Sequence, residues 1–163
     1  MPTYTEPVTL QEVKSHLNID PDYEMDDALL LTYIKSGREY MEGYLNLGLV
    51  ERTVTENFRA CCSSPIGTTR LKYGPVTKVI AITDLKGSNA NLFNHGSYEF
   101  PEFYLNYGVD ITYTAGYTPQ TIPANLKEAL MLIVGNSYDN KGESIKIPQQ
   151  AYQKMSVSSR NVF

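Results

Sequence analysis

Hydrophobic positions in the stretch 107–140 change period partway along, and this change marks the clearest strand and one of the two clearest helices in the chain. Val109, Ile111 and Tyr113 alternate with Asp110, Thr112 and Thr114, the repeat of a strand with one buried face. The strand ends at Ala115-Gly116, where glycine can take positive φ without steric cost. Pro119 and Pro123 follow, and proline suits a helix start because its missing N–H would have no intrahelical partner there. Leu126, Ala129, Leu130, Ile133 and Val134 then recur at helical spacing, which predicts a helix over residues 123–139 with one apolar face to be covered. Burial of Leu126, Leu130 and Ile133 is worth roughly 1.5–3 kcal/mol each, and a helix of this length is marginal alone, so packing supplies most of its stability. Nothing reactive sits on that stripe, which identifies it as core scaffold.

Taken from its start, the chain opens with a proline-containing arm over residues 1–7. Thr9-Leu10-Gln11-Glu12 reads as a capping box for a short helix over residues 9–17, with Leu10, Val13 and Leu17 on one side. Asn18-Ile19-Asp20-Pro21 breaks it. A long second helix is predicted over residues 22–46. Asp20, Asp22, Glu24, Asp26 and Asp27 crowd its start, where carboxylates complement the helix dipole. Their spacing lacks the glycine and the twelfth-position Glu of an EF-hand loop, so a solvated cap is favoured over a calcium site. Leu29, Leu30, Tyr33, Ile34, Gly37, Met41, Tyr44 and Leu45 form its apolar face, with Gly37 permitting close approach of another backbone.

From Val50 the period becomes two. Val50, Arg52, Val54, Glu56 and Phe58 alternate, residues 59–68 read as a turn region, and Val76 to Thr83 is β-branched and strand-like. Residues 87–106 mix Asn89, Asn91 and Asn94 with Phe93, Tyr98, Phe100, Phe103 and Tyr104. That mixture fits hairpins with aromatic cross-strand pairs better than base-stacking platforms. After Asn140 the pattern fades into a tail, residues 141–163, read as extended apart from a single turn at Ala151 to Met155. Its end is either free or an extended peptide that orders on a neighbouring subunit, with Phe163 as an anchor.

The fold class is therefore α+β: a small helical bundle of short first, long second and C-terminal helices, with an antiparallel β region over residues 50–116 inserted between the second and last helices. The whole chain, residues 1–163, is expected to be a single domain, since no linker-like spacer divides it. A net charge of -4 argues against a strong positive field for non-specific nucleic-acid binding. No run is long and apolar enough for a membrane span, and the N-terminus lacks a signal-peptide pattern, so a cytosol-like site of synthesis and no membrane partner are expected.

Chemistry-bearing residues are sparse. Cys61 and Cys62 are adjacent and read as free thiols, with no second pair to complete a zinc site. His16 and His95 lie in no catalytic motif, so no enzyme activity, catalytic residue, cofactor or metal is expected. Thirteen tyrosines without a tryptophan suit interfaces, because the ring packs while the hydroxyl stays wet.

The order of motifs resembles a known family. A V-T-L-x-E-x-K-x-x-L start (Val8 to Leu17) precedes an acidic D-D-A-L-L helix start (Asp26 to Leu30) that continues to Glu42 and Tyr44. Leu71 to Val79 carries L-x-Y-G-P-V-x-x-V, Ile111 to Tyr117 reads I-T-Y-T-A-G-Y, Pro123 to Ile133 is the proline-led helix, and Tyr138 to Asn140 closes the match. Together these resemble the head-tail connector, or head-completion, proteins of tailed bacteriophages; the Thr-Ala-Gly-Tyr turn before a proline-led helix is the most specific piece.

The resemblance implies a structural virion protein at the head-tail interface, made in the host bacterial cytoplasm. It implies a homo-oligomeric ring of about twelve copies beneath the portal protein, a platform for a tail or stopper protein, and a channel through which genomic DNA passes without sequence-specific binding. Carboxylates along such a channel would repel DNA and let it move freely. The alternative is a small nucleic-acid-binding module acting in DNA packaging. Cyclic symmetry requires two different faces of each subunit to meet. The second helix has more apolar surface than one contact can use, so Leu30, Tyr33 and Tyr40, with Phe163 of the tail, are the candidate subunit interface.

Overall fold

The structure is a computed structural model and describes residues 5–58, 67–84, 102–105, 109–141 and 147–159. In chain order the elements are α1 (Leu10–His16), α2 (Asp27–Leu45), β1 (Arg52–Phe58), β2 (Gly67–Arg70), β3 (Val76–Asp84), β4 (Glu102–Leu105), β5 (Val109–Ala115), α3 (Ala124–Asp139) and α4 (Gln149–Ser159). The chain divides into two compact units, Met1–Leu45 with Thr118–Phe163, and Asn46–Tyr117. The β region is thus an insertion between α2 and α3, within an α+β fold.

In the helical unit, α1 starts on the expected capping box. The Thr9 hydroxyl accepts from the Glu12 N–H at 3.2 Å, and the Thr9 N–H donates to the Glu12 carboxylate at 2.6 Å. Val13, Leu30, Ile34, Met41, Leu126, Ala129, Leu130, Ile133 and Val134 are fully buried, so the helical stripes face one another. Gly37 makes the fit possible: a Cβ there would lie 3.1 Å from Leu130 Cδ1 and 3.3 Å from Ile133 Cγ2. Pro123 stands at the N-cap of α3, its carbonyl accepting from the Leu126 N–H at 3.0 Å.

The tail departs from its extended reading. Residues 149–159 form α4, started by the Pro148 carbonyl accepting from the Ala151 N–H at 2.9 Å. Ala151 and Met155 are one helical turn apart and fully buried, while Asn125 Nδ2 donates to the Lys154 carbonyl at 3.0 Å. Two buried anchors and the packing of α4 on α3 stabilise a segment whose own pattern is too polar to declare a helix.

In the β unit, β5 is the central strand, paired antiparallel with β1 on one side and β3 on the other. Tyr113 lies opposite both Val54 and Val79, and Ile111 opposite Glu56 and Ile82. Leu71, Ile111, Tyr113 and Ala115 are buried together, with Val54, Phe58, Tyr73 and Val76 packed on them. The other face of β1 and β5 is polar: the Thr55 and Thr112 hydroxyls are hydrogen-bonded at 2.9 Å, and Asn57 Nδ2 donates to Asp110 at 2.6 Å. A second, two-stranded antiparallel sheet pairs β2 with β4. Gly67 and Thr68, expected in a turn, are strand residues there. Of the segment 87–106, residues 102–105 pair with β2, a strand distant in sequence, and the remainder of the hairpin reading lies outside the described residues.

Three backbone segments meet in this unit. The Gly48 N–H donates to the Gly74 carbonyl at 2.8 Å, and the Gly116 N–H donates to the Pro75 carbonyl at 2.9 Å. Gly116 has φ +118, the left-handed region in which glycine alone is comfortable. The L-x-Y-G-P-V and T-A-G-Y motifs, far apart in sequence, are two sides of one junction.

Candidate assembly surfaces

The long helix α2 has a buried stripe that is not wholly apolar. Arg38 is buried, and its guanidinium reaches Glu6 Oε2 at 2.9 Å and Glu42 Oε2 at 3.1 Å. Glu42 is buried one turn further along, so the pair is shielded from solvent, while Glu6 ties the N-terminal arm to the helix. Lys14 is also buried. Its ammonium donates to the Pro21 and Tyr23 carbonyls at 3.1 and 2.8 Å and lies 2.6 Å from Asp27 Oδ1, which closes the loop between α1 and α2. The sequence reading places Lys14 and Glu42 only within family motifs and gives Arg38 no role, although Arg38 and Glu42 stand four apart on the apolar stripe, the spacing of an ion pair.

The acidic start of α2 is held by specific partners. The Tyr138 hydroxyl donates to Asp26 at 2.5 Å, and Lys141 lies 3.4 Å from the same carboxylate. This hydrogen bond, with the ammonium behind it, holds the Asp26 carboxyl below its ordinary range; the same hydrogen bond pushes the Tyr138 phenol up, against the opposing pull of the ammonium. Among the described residues, no group of three His, Cys, Asp or Glu side chains converges as a metal site.

Leu30, the first candidate for the subunit interface, is fully buried within the helical unit. A side chain covered by its own chain cannot also meet a neighbour, so Leu30 belongs to the internal face. Tyr33 is half-buried and Tyr40 is 39% exposed. Phe163 lies outside the described residues. Tyr44, assigned to the buried stripe, is instead 54% exposed and meets Tyr152 of α4 edge-on, with ring centroids 5.5 Å apart. The neighbouring Tyr40 side chain pushes the Tyr152 pKa up. Tyr40 and Tyr44 are four residues apart in α2; Tyr152 joins them only because α4 is a helix.

The β unit also leaves apolar side chains of β3 exposed. Val79, Ile80 and Ile82 of β3 are 36%, 51% and 39% exposed. A shift in register between Val79 and Ala81 disturbs the alternation, and the outer edge of β3 pairs with none of the described strands. The Tyr113 hydroxyl, on the core face, donates to Glu56, while burial and then that carboxylate push its pKa above the ordinary range. Among the described residues, no helix is long and apolar enough to cross a membrane.

Among the described residues, the buried charged groups serve as internal ties, and several large apolar side chains remain exposed. Residues 7–86 match the family model described as phage gp6-like head-tail connector protein. No curated protein matches. The fold is similar to that of a chain from the neck of an empty gene transfer agent (GTA) particle computed with C6 symmetry, at TM-score 0.71 and 20% identity, covering 96% of this chain and 94% of that one. A chain of the native GTA virion matches at TM-score 0.69 and 20% identity over 93% and 88% of the two chains. The native neck computed with C12 symmetry gives TM-score 0.68 and 19% identity over 99% and 97%.

Proposed function

We propose that the protein is a structural, non-enzymatic head-tail connector subunit that forms a ring under the portal, closes the DNA-filled head and provides the platform for the tail. The observation that carries this reading is the agreement between the family match over residues 7–86 and a fold shared with neck chains along nearly the whole length. The neck structures were computed with C6 and C12 symmetry, which supports a cyclic assembly of the same order for this chain, about twelve copies. Its partners are then further copies of itself, the portal protein, and a tail or stopper protein. Its place is the virion, at the head-tail interface, with genomic DNA passing through the channel without being read.

Light scattering after gel filtration, with and without the matching portal protein, tests the reading. A large discrete oligomer, or a monomer that joins the portal at fixed stoichiometry, is the expected result. A monomer indifferent to the portal would overturn it.

A further inference from the structure

We propose that the N-terminal arm, residues 5–8, is a releasable strap: the Glu6–Arg38 ion pair latches it to α2, and it opens at the Val8–Thr9 junction while α1 and α2 stay folded. The proposal is independent of the ring reading above, since every residue it uses lies within the helical unit of one chain.

What holds the arm differs from what holds the helix after it. Among the described residues, no backbone hydrogen bond ties residues 5–8 to either helix, and Pro7 has no N–H to offer one. The arm is fixed by side chains: Arg38 Nε donates to Glu6 at 2.9 Å, and Pro7 and Val8 are buried. From Thr9 onward the ties are local to α1. The Thr9 N–H and hydroxyl both donate to the Glu12 carboxylate, at 2.6 and 3.0 Å, and the Thr9 carbonyl accepts from the Val13 N–H at 3.1 Å. None of these bonds involves the arm, so they persist when it leaves.

Arg38 is one cation among three carboxylates. Its guanidinium meets Glu42 at 3.1 Å and Glu39 at 3.5 Å as well as Glu6, and Glu39 and Glu42 belong to α2 itself. Release of Glu6 therefore strands no buried charge, whereas loss of Arg38 would take the cation from Glu42. The two helix carboxylates also repel Glu6, which weakens the one contact made from outside the helix. Glu6 is 28% exposed, so water reaches the place it vacates and satisfies the Nε–H that pointed at it. A segment without backbone ties, held by one partly hydrated ion pair and two small apolar side chains, belongs to the low end of the range of local opening energies.

The test reads opening in the full chain through a thiol on either side of the junction: Val8→Cys in the arm and Val13→Cys one turn into α1. Both valines are buried. Each variant also carries Cys61→Ser and Cys62→Ser, so that the new thiol alone reacts with a disulfide reagent. Labelling at position 8 is expected to be at least about a hundredfold faster than at position 13 and insensitive to low urea, because opening the arm exposes little surface. Labelling at position 13 should climb steeply with urea. Glu6→Ala should speed labelling at position 8 by at least about tenfold, and Glu6→Gln, which keeps an acceptor without the charge, by less. Equal rates and urea slopes at the two positions would show that the arm opens only with the helices, and an unchanged rate in Glu6→Ala would show that Glu6 is no latch; either result overturns the proposal. A cooperative melt establishes that each variant is folded. Should Val8→Cys fail that check, methyl NMR of Val8 in the otherwise unaltered chain reads the same opening. Glu6→Ala is then expected to move those resonances toward a solvated valine, and resonances that stay in place would overturn the latch.

Discussion

Gly116 lies against the Val50 backbone so closely that a Cβ on it would stand 2.1 Å from the Val50 carbonyl oxygen. The glycine also has φ +118 and donates its N–H to the Pro75 carbonyl. The most specific motif of the sequence is thus a steric requirement. Gly116→Ala is expected to destabilise the protein by about 3 kcal/mol or more, because backbone cannot move aside as a flexible side chain can. Urea denaturation measures it; a loss below about 1 kcal/mol would refute the clash.

Gly37 stands in a different relation to its neighbours, since the atoms nearest a Cβ are the side-chain tips of Leu130 and Ile133 at 3.1 and 3.3 Å. Gly37→Ala is expected to be nearly neutral, because a gain of about 1 kcal/mol in helix propensity offsets a small displacement of those tips. Gly37→Val should cost about 2–3 kcal/mol through overpacking. Thermal melts of the two variants should separate clearly.

Arg38 sits between Glu6 and Glu42 with its side chain only 5% exposed. Arg38→Leu is expected to cost about 3 kcal/mol, because the buried Glu42 carboxylate loses its cation. In the double variant Arg38→Leu, Glu42→Leu much of that loss should return, since two apolar side chains replace a desolvated ion pair. A double-mutant cycle by chemical denaturation tests this; a double variant less stable than Arg38→Leu would contradict it.

Asp26 and Glu12 predict how stability responds to acid. Both carboxyls are held below their ordinary values of 3.8 and 4.5, Asp26 chiefly by the Tyr138 hydroxyl and Glu12 chiefly by the Thr9 N–H. Their contribution is fully present above those ordinary values and is lost as pH falls through the lowered ones. Tyr138, pushed above its ordinary 10.0, contributes below that value and loses the contribution as pH rises through its raised one. Melting temperatures from pH 3 to 11 should fall at both ends, and Tyr138→Phe should flatten both limbs. An unchanged profile would show that the hydrogen bond does not form in solution.

The strand at Val109 to Ala115 and the helices at Asp27 to Leu45 and Ala124 to Asp139 were legible in the sequence because periodic apolar residues mark a buried face wherever the fold places it. The capping box at Thr9 was legible because its hydrogen bonds span three residues. α4 was not, since its two buried anchors, Ala151 and Met155, acquire their meaning from α3. Nothing local marks Lys14 and Arg38 for burial, which depends on the Pro21 and Tyr23 carbonyls and on Glu6. The same limit misplaced Leu30 on the subunit face and Tyr44 in the core.

By itself, then, the sequence determined where helices and strands form, that the fold is α+β with an inserted sheet, and which family the motifs resemble, since these follow from local spacing and backbone preference. Only the tertiary structure decided that β5 is the central strand, that Gly116 must be glycine because Val50 faces it, and that Tyr44 of α2 meets Tyr152 of α4. Those facts depend on contacts between residues distant in the chain, and residues brought together by packing leave no periodic trace in the sequence.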